Sequence, residues 1–376
     1  MAAPTRTRRA RPRGGARGTK SASLPWGLTP AQCRQIYRQM VLIRHFEQHA
    51  AEAYAQAKVG GFLHLYIGEE AVAVGALAAC REDDHVLGHY RDHGYALARG
   101  CDPKACMSEL FGREDGLCRG RGGSMHLANA SLHFWGGYAI VGSHIPIGAG
   151  MAYAMQYQKS DEIVLDFFGD GATGNGIFHE GLNMAALWRL PIIFICENNL
   201  YGMGATLAEE SPVNEMKIRA EGYTMPALQC DGMDVLAVYA AVQQAAEHCR
   251  SGEGPFFIEA LTYRFGGHSM ADPELYRDKA EVRRWRTEDP IPKFGDFCVQ
   301  HQICSQLELA QVNEEVEQEM LEAVAFADQS PWPDPAQVGH GVYAKPIDPE
   351  AATAPGMAGP DPVELRAASE AKQAGV

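Results

Sequence analysis

Between residues 163 and 201 the chain alternates short apolar runs with one amphipathic stretch. Residues 163–168 and 192–197 are apolar runs bounded by glycine, proline or asparagine, the pattern of strands buried on both faces. Between them Ile177, Leu182, Met184, Ala185, Leu187 and Trp188 recur at helical spacing over 176–188. This predicts a βαβ unit whose glycine loop sits at the carboxyl end of the first strand, where open α/β sheets bind ligands. Elsewhere Thr29-Pro30 is a helix start, with a capping hydroxyl and a proline in the first turn. That helix is expected to run to about residue 58, burying Ile36, Met40, Ile43, Phe46, Ala50 and Tyr54. Further helices are expected over 69–79, 103–111, 147–158, 234–250 and 307–327. A strand ends near 86–87, and another spans 255–265. Polar loops follow both, at 89–94 and 264–280. The fold class is α/β, with a mostly parallel sheet and helices on both faces.

Composition narrows the setting. Hydrophobic residues make up 46% of the chain, enough for a sizeable core, and no apolar run reaches the roughly 18 residues of a membrane span. Ten cysteines occur, none in C-x-x-C spacing and none near histidines at zinc distances, which points to a reducing compartment. The formal charge of −14 is unevenly placed. Residues 1–20 carry Arg6, Arg8, Arg9, Arg11, Arg13, Arg17 and Lys20 with no acid, so the remainder is more acidic still. Residues 1–28 are expected to form a disordered basic arm, either a transit peptide or a segment for acidic partner surfaces. Residues 331–376, rich in proline and alanine, are expected to be an extended tail. The acidic body argues against nucleic acid as the main ligand.

The glycine loop decides the chemistry. Gly169, Gly171, Gly174 and Gly176 satisfy G-x-G-x-x-G, and Glu197 ends the next strand, so a dinucleotide site is one reading. Asp170 opposes it: a carboxylate about 4 Å from a pyrophosphate is repelled by about 4 kcal/mol. A divalent cation between them removes the conflict, since Mg²⁺ bridges protein oxygens to phosphate oxygens. Asn199 then supplies a carbonyl oxygen from the neighbouring strand end. Gly171 and Ala172 lead into the helix and can offer backbone N–H groups to a diphosphate near its positive end. The metal reading is the stronger.

GDG at 169–171 and NN at 198–199, each at a strand end, are similar to the thiamine-diphosphate motif. The likeness extends through GGFLHLYIGEEAVAVG (60–75), GHYRDHGYALARG (88–100), GRGGSMH (120–126), MAALWRLPIIFICENNLYGMG (184–204) and TYRFGGHSMADP (262–273). Over residues 29–330 the chain resembles the α subunits of the decarboxylating component of 2-oxo acid dehydrogenase complexes, the pyruvate dehydrogenase group among them. The resemblance implies a thiamine-diphosphate-binding fold, with thiamine diphosphate and Mg²⁺ as cofactors. It implies Asp170, Asn199 and the Tyr201 carbonyl as metal ligands, and Tyr90, Arg91, Val141, Gly171, Ala172 and His268 as further cofactor contacts. His64, His126 and His268 are the candidate catalytic imidazoles. Two positions depart from the family pattern: Ala139 and Gly266.

The resemblance also implies an absence. The carboxylic acid that activates thiamine belongs, in this family, to a separate β subunit, and Glu47, Glu69 and Glu180 lie outside the activating motif. The implied assembly is an α₂β₂ heterotetramer that transfers an acyl group to a lipoyl-bearing dihydrolipoyl acyltransferase. The implied reaction is oxidative decarboxylation of pyruvate, with acetoin or branched-chain 2-oxo acids as alternative substrates. An NAD oxidoreductase and a non-catalytic regulatory homologue are the readings from other classes. The expected location is the cytoplasm, or an organellar matrix if the basic arm is a transit peptide.

Overall fold

The computed structural model of the chain describes residues 24–337. It divides into two units, Met1–Pro331 and Trp332–Val376; within the second, Pro335–Gln337 forms a 3₁₀ turn. Most of the arm expected over 1–28, and the tail expected over 331–376 beyond residue 337, lie outside the described residues. The end of the arm is inside them: Pro25–Gly27 is a 3₁₀ turn and Leu28 is buried.

Helix α1 (Pro30–Ala55) begins with a capping box, in which the Thr29 hydroxyl accepts the Gln32 N–H and the Gln32 side chain accepts the Thr29 N–H. Ile36, Met40, Ile43, Phe46 and Ala50 are buried on one face, and Tyr54 is half-buried. The helix stops short of residue 58 because Ala57, at φ 57, leaves the helical region. There follow α2 (Glu70–Ala78), β1 (His85–His89), α3 (His93–Ala98) and α4 (Pro103–Leu110). Strand β2 (Phe134–Tyr138) emerges from the glycine-rich stretch, where periodicity had predicted no element. Helix α5 (His144–Gln158) starts before residue 147 because Pro146 falls in its first turn, where a missing N–H costs nothing.

The βαβ unit forms as expected from β3 (Val164–Gly169), α6 (Gly176–Trp188) and β4 (Ile192–Asn198). A short hairpin of β5 (Tyr201–Gly202) and β6 (Ala205–Thr206) leads to α7 (Leu207–Glu210), α8 (Lys217–Glu221) and β7 (Ala227–Asp231). Then come α9 (Val235–Arg250), capped by the Asp234 carboxylate, and β8 (Phe256–Leu261). The chain continues through α10 (Lys279–Arg286), α11 (Pro290–Gln300) and α12 (Gln306–Gln329). Sequence periodicity missed β7, α10 and α11. Strand β7 is only half-buried and carries Gln229 and Asp231, so it lacks the apolar run of its neighbours. Helix α10 buries no residue, and its KAEVRRWR sequence has no apolar stripe to read.

Six strands form one all-parallel sheet in the order β2-β1-β3-β4-β8-β7. The alternation of side chains across it builds two cores. Leu165, Phe167, Ile193 and Ile195 face α1, α2 and α9, whereas Val164, Phe168, Ile192 and Phe194 face α5 and α6. Strand order reverses between β1 and β3, which opens a crevice at their carboxyl ends. Among the described residues no helix is long and apolar enough to cross a membrane.

Gly68, ahead of α2, sits at φ +105, and a Cβ there would run into the Tyr263 carbonyl oxygen. Gly68→Ala is therefore expected to destabilise the fold by at least about 2 kcal/mol, through backbone strain and displaced backbone. Chemical denaturation of the purified variant checks this; an unshifted midpoint would refute it.

Candidate active site at the carboxyl ends of the strands

A cavity of about 330 Å³ occupies the crevice. β1 delivers His89, Tyr90 and Arg91 to it, β3 delivers Gly169 and Asp170, and β4 delivers Asn199. Loops bring His64, Met125, Val141, Tyr201 and His268, and Gly171 and Ala172 complete the β3 side. All the residues expected to touch cofactor or metal line this one space. His126 is the exception among the expected site residues. It is exposed, its Nδ1 lies 3.0 Å from the Gly137 carbonyl, and its neighbour Met125 lines the cavity instead.

Asp170 is 2% exposed, and its Oδ2 is buried without a hydrogen-bond partner. Burial, with Glu210 adding to it, pushes the carboxyl up to about 7. An orphan acid at a cavity wall is unfavourable on its own, and a cation would supply what it lacks. Across from it the Asn199 amide is oriented by Glu69: Nδ2 donates to Glu69 Oε1 at 3.0 Å. That leaves Asn199 Oδ1 with a single long bond, accepted from the Tyr201 N–H at 3.3 Å. The oxygen set fits a hard divalent cation. Gly171 lets the backbone of the β3 loop approach that of Gly202 closely, since a Cβ there would lie 3.3 Å from Gly202 Cα. Asn175, the N-cap of α6, donates from Nδ2 to the Val141 carbonyl at 3.0 Å and so ties the Val141 loop to the helix start.

Arg91 lines the cavity, and its guanidinium also holds loop carbonyls, Nη1 donating to Leu65 at 3.0 Å and Nη2 to His268 at 2.5 Å. It thereby pins two histidine-bearing loops together. The His64 and His268 rings meet edge to face at 5.1 Å, with Tyr90 packed 4.6 Å from His64. Burial and the nearby Arg91 charge lower His64 to about 2 and His268 to about 4, so both imidazoles are neutral at neutral pH. His64 Nδ1 is buried and unpartnered.

The floor of the crevice holds groups that sequence reading missed as site residues. Glu197 is fully buried and accepts from the Tyr66 hydroxyl, from the Tyr95 hydroxyl at 2.5 Å and from His89 Nε2 at 2.7 Å. His89 Nδ1 accepts the Arg91 N–H, which leaves Nε2 as the protonated nitrogen. Burial raises Glu197 to about 7, with the tyrosine hydroxyls pulling against it. The acid at the end of a dinucleotide-type strand would have to face a ribose, and this one points inward, which removes the NAD reading. Beneath α5, His144 Nε2 lies 2.8 Å from the Phe167 carbonyl and 3.3 Å from Asp166 Oδ1, with both residues fully buried. The available signal for these residues was an acid inside an otherwise apolar strand.

Comparison with known proteins agrees with this geometry. Residues 38–336 match the family model described as "Dehydrogenase E1 component". The chain is 46% identical to the pyruvate dehydrogenase E1 component subunit alpha of Rhizobium meliloti, over 81% of this chain and 88% of that protein. It is 41% identical to the subunit of the same name from Porphyra purpurea, over 84% and 94%. The testis-specific mitochondrial alpha subunit of Homo sapiens is 42% identical, over 84% and 81%. The chain belongs to the dehydrogenase E1 component family, the thiamine-diphosphate-dependent oxidoreductases that act on 2-oxo acids.

Proposed function

We propose that the chain is the α subunit of an acetyl-transferring pyruvate dehydrogenase, binding thiamine diphosphate through Mg²⁺ held by Asp170, Asn199 and the Tyr201 carbonyl. The observation that carries this reading is the buried, unpartnered Asp170 oxygen in the wall of the cavity that Asn199 and Tyr201 also line. Pyruvate is the substrate named for the relatives above. Thiamine diphosphate, when bound, supplies the reactive carbon and the electron sink for loss of CO₂. The chain's own residues position and polarise. Neutral His64 and His268 each offer one N–H and one lone pair toward the 2-oxo acid, and Arg91 fixes their separation by gripping both loops.

Two surfaces support the assembly this function requires. Glu47 is met by the Tyr66 N–H and His93 and Glu197 by its three donors, while Glu69 accepts from Asn199 at Oε1 and keeps a buried, unpartnered Oε2. The activating acid is assigned to a β subunit because none of these acids lies in the activating motif that the family resemblance implies. The outward faces of α5 and α6 expose Ile147, Tyr153, Tyr157, Leu187 and Trp188, an apolar patch suited to that partner in an α₂β₂ heterotetramer. A second, apolar cavity of about 490 Å³, lined by Phe62, Met203 and Tyr276, shares His64 and His268 with the first. We assign it as the approach for the arm of a lipoyl-bearing acyltransferase, because it adjoins the same two histidines.

Asp170→Ala is expected to weaken binding of thiamine diphosphate with Mg²⁺ by at least about a hundredfold. The apo fold should be kept, since the substitution removes an unsatisfied buried acid. Calorimetric titration and circular dichroism check both halves; undiminished affinity refutes the ligand assignment.

The histidines set a pH dependence. An imidazole lowered from 6.5 to about 4 in the folded chain is protonated more readily on unfolding. Its contribution to stability is full above pH 6.5 and declines as pH falls toward 4, by about 1.4 kcal/mol per unit. His268→Gln should flatten the slope of stability against pH in that window by about one proton. An unchanged slope in denaturation series would contradict the neutral-ring assignment.

The isolated chain is expected to show essentially no decarboxylation, and adding the β subunit to restore it. Assays with and without the partner, alongside light scattering, test this; full activity from the chain alone would place the activating acid within it.

A further inference from the structure

The glycine-rich segment GRGGSMH is built around one side chain. Glu109, in the last turn of α4, is fully buried. Its Oε2 accepts the N–H of Cys118 at 2.7 Å and of Gly120 at 2.9 Å, while Oε1 accepts the N–H of Gly122 at 2.7 Å and of Gly123 at 3.1 Å. A carboxylate is an acceptor-only group with about four lone-pair sites, and here four backbone donors fill them. The loop is a backbone nest turned inside out around an anion.

The glycines follow from that geometry. A Cβ on Gly116 would meet the Glu109 carboxylate itself. One on Gly120, which sits at φ +70, would lie 2.5 Å from the Gly112 carbonyl carbon. One on Gly122 would lie 2.5 Å from the His126 carbonyl oxygen. Close wrapping of backbone around the acid leaves no room for side chains. The far end of the loop is held separately. Asp92 accepts the Leu127 N–H at 2.7 Å, and His93 Nε2 lies 3.0 Å from both Ser124 oxygens. Between these two anchors the loop presents Met125 to the cavity, while His126 is exposed.

We propose that Glu109 is a positioning residue for the reaction. Its carboxylate folds the 116–123 loop and so sets the Met125 wall of the cavity, without itself touching cofactor or substrate. The proposal rests on the cavity being the thiamine-diphosphate site. The cofactor anchors at Asp170 and Asn199 lie on β3, β4 and their loops, so losing Glu109 should impair turnover more than cofactor binding. In Glu109→Gln one acceptor oxygen becomes an NH₂ that opposes two of the four N–H groups, and the loop should open.

The test uses Glu109→Gln and Gly122→Ala. The second keeps the acid but pushes on the His126 carbonyl, and serves if the first fails to fold. Hydrogen exchange on the chain without cofactor should show residues 116–127 exchanging at least about tenfold faster in Glu109→Gln, with β3 and β4 unchanged. In the complex with the partner chain, kcat should fall by about tenfold to a hundredfold in both variants. The Kd for thiamine diphosphate with Mg²⁺ should stay within about twofold. Unchanged exchange in the loop overturns the proposal, as does an open loop with normal kcat. A loss confined to cofactor affinity overturns it too. If the wild-type complex with the partner chain binds no thiamine diphosphate, the cofactor reading falls, while the exchange result still reports whether Glu109 holds the loop.

Discussion

A carboxylate taken out of water must be given donors or a cation, and this constraint organises the catalytic end of the sheet. Glu47, Glu109 and Glu197 are fully buried, and each is met by hydrogen-bond donors from elements distant in sequence. Breaking one such arrangement leaves an uncompensated buried group, a cost of several kcal/mol against a net stability of about 5–15 kcal/mol. Each acid therefore dictates where its donors sit. Glu197 fixes Tyr66, Tyr95 and His89; Glu47 fixes the Tyr66 backbone and His93. The loops beneath and around the cavity are positioned through these bonds more than through apolar contact. Asp170 meets the same constraint with a different outcome: its Oδ2 is buried at the cavity wall with no donor from the chain.

The arrangement also explains why the site can be preorganised on loops. Loops offer little apolar area to bury, so their conformations are ordinarily soft. Here Arg91 reaches from the end of β1 to two carbonyls, and Arg277 does the same from 277 to the Arg264 carbonyl at 2.7 Å. Charged groups pointing inward at backbone replace the hydrophobic anchoring that helices and strands receive from the two cores.

What was legible in the sequence follows the same division. The βαβ unit, α1, α9 and α12 were readable because each carries an apolar stripe or run and a cap, and local pattern matches tertiary burial. Asp170 and Asn199 were readable because they punctuate strand ends, where a polar residue has no packing reason to be. Strand β2 was hidden by its glycines and β7 by its exposed edge. The donors of Glu109 were hidden for a deeper reason: they are backbone N–H groups, and no residue identity announces them. Arg91 was legible as a residue of the crevice, but not its grip on two loops, since a sequence does not say which acceptors folded loops bring together.

One residue separates this site from the dinucleotide site its glycines imitate. The G-x-G-x-x-G spacing is a statement about backbone clearance, and clearance alone suits any diphosphate. Asp170 within the loop adds a negative charge that an uncomplexed pyrophosphate would meet head-on. Glu197, in the position a ribose-binding acid would take, is turned into the protein by two tyrosines and a histidine. Both differences have one physical origin. The charge that a dinucleotide site keeps at the ribose is here withdrawn into the core, and a charge that such a site must exclude is placed at the phosphates. A ligand that arrives with its own cation would satisfy both, in keeping with the thiamine diphosphate dependence of the family.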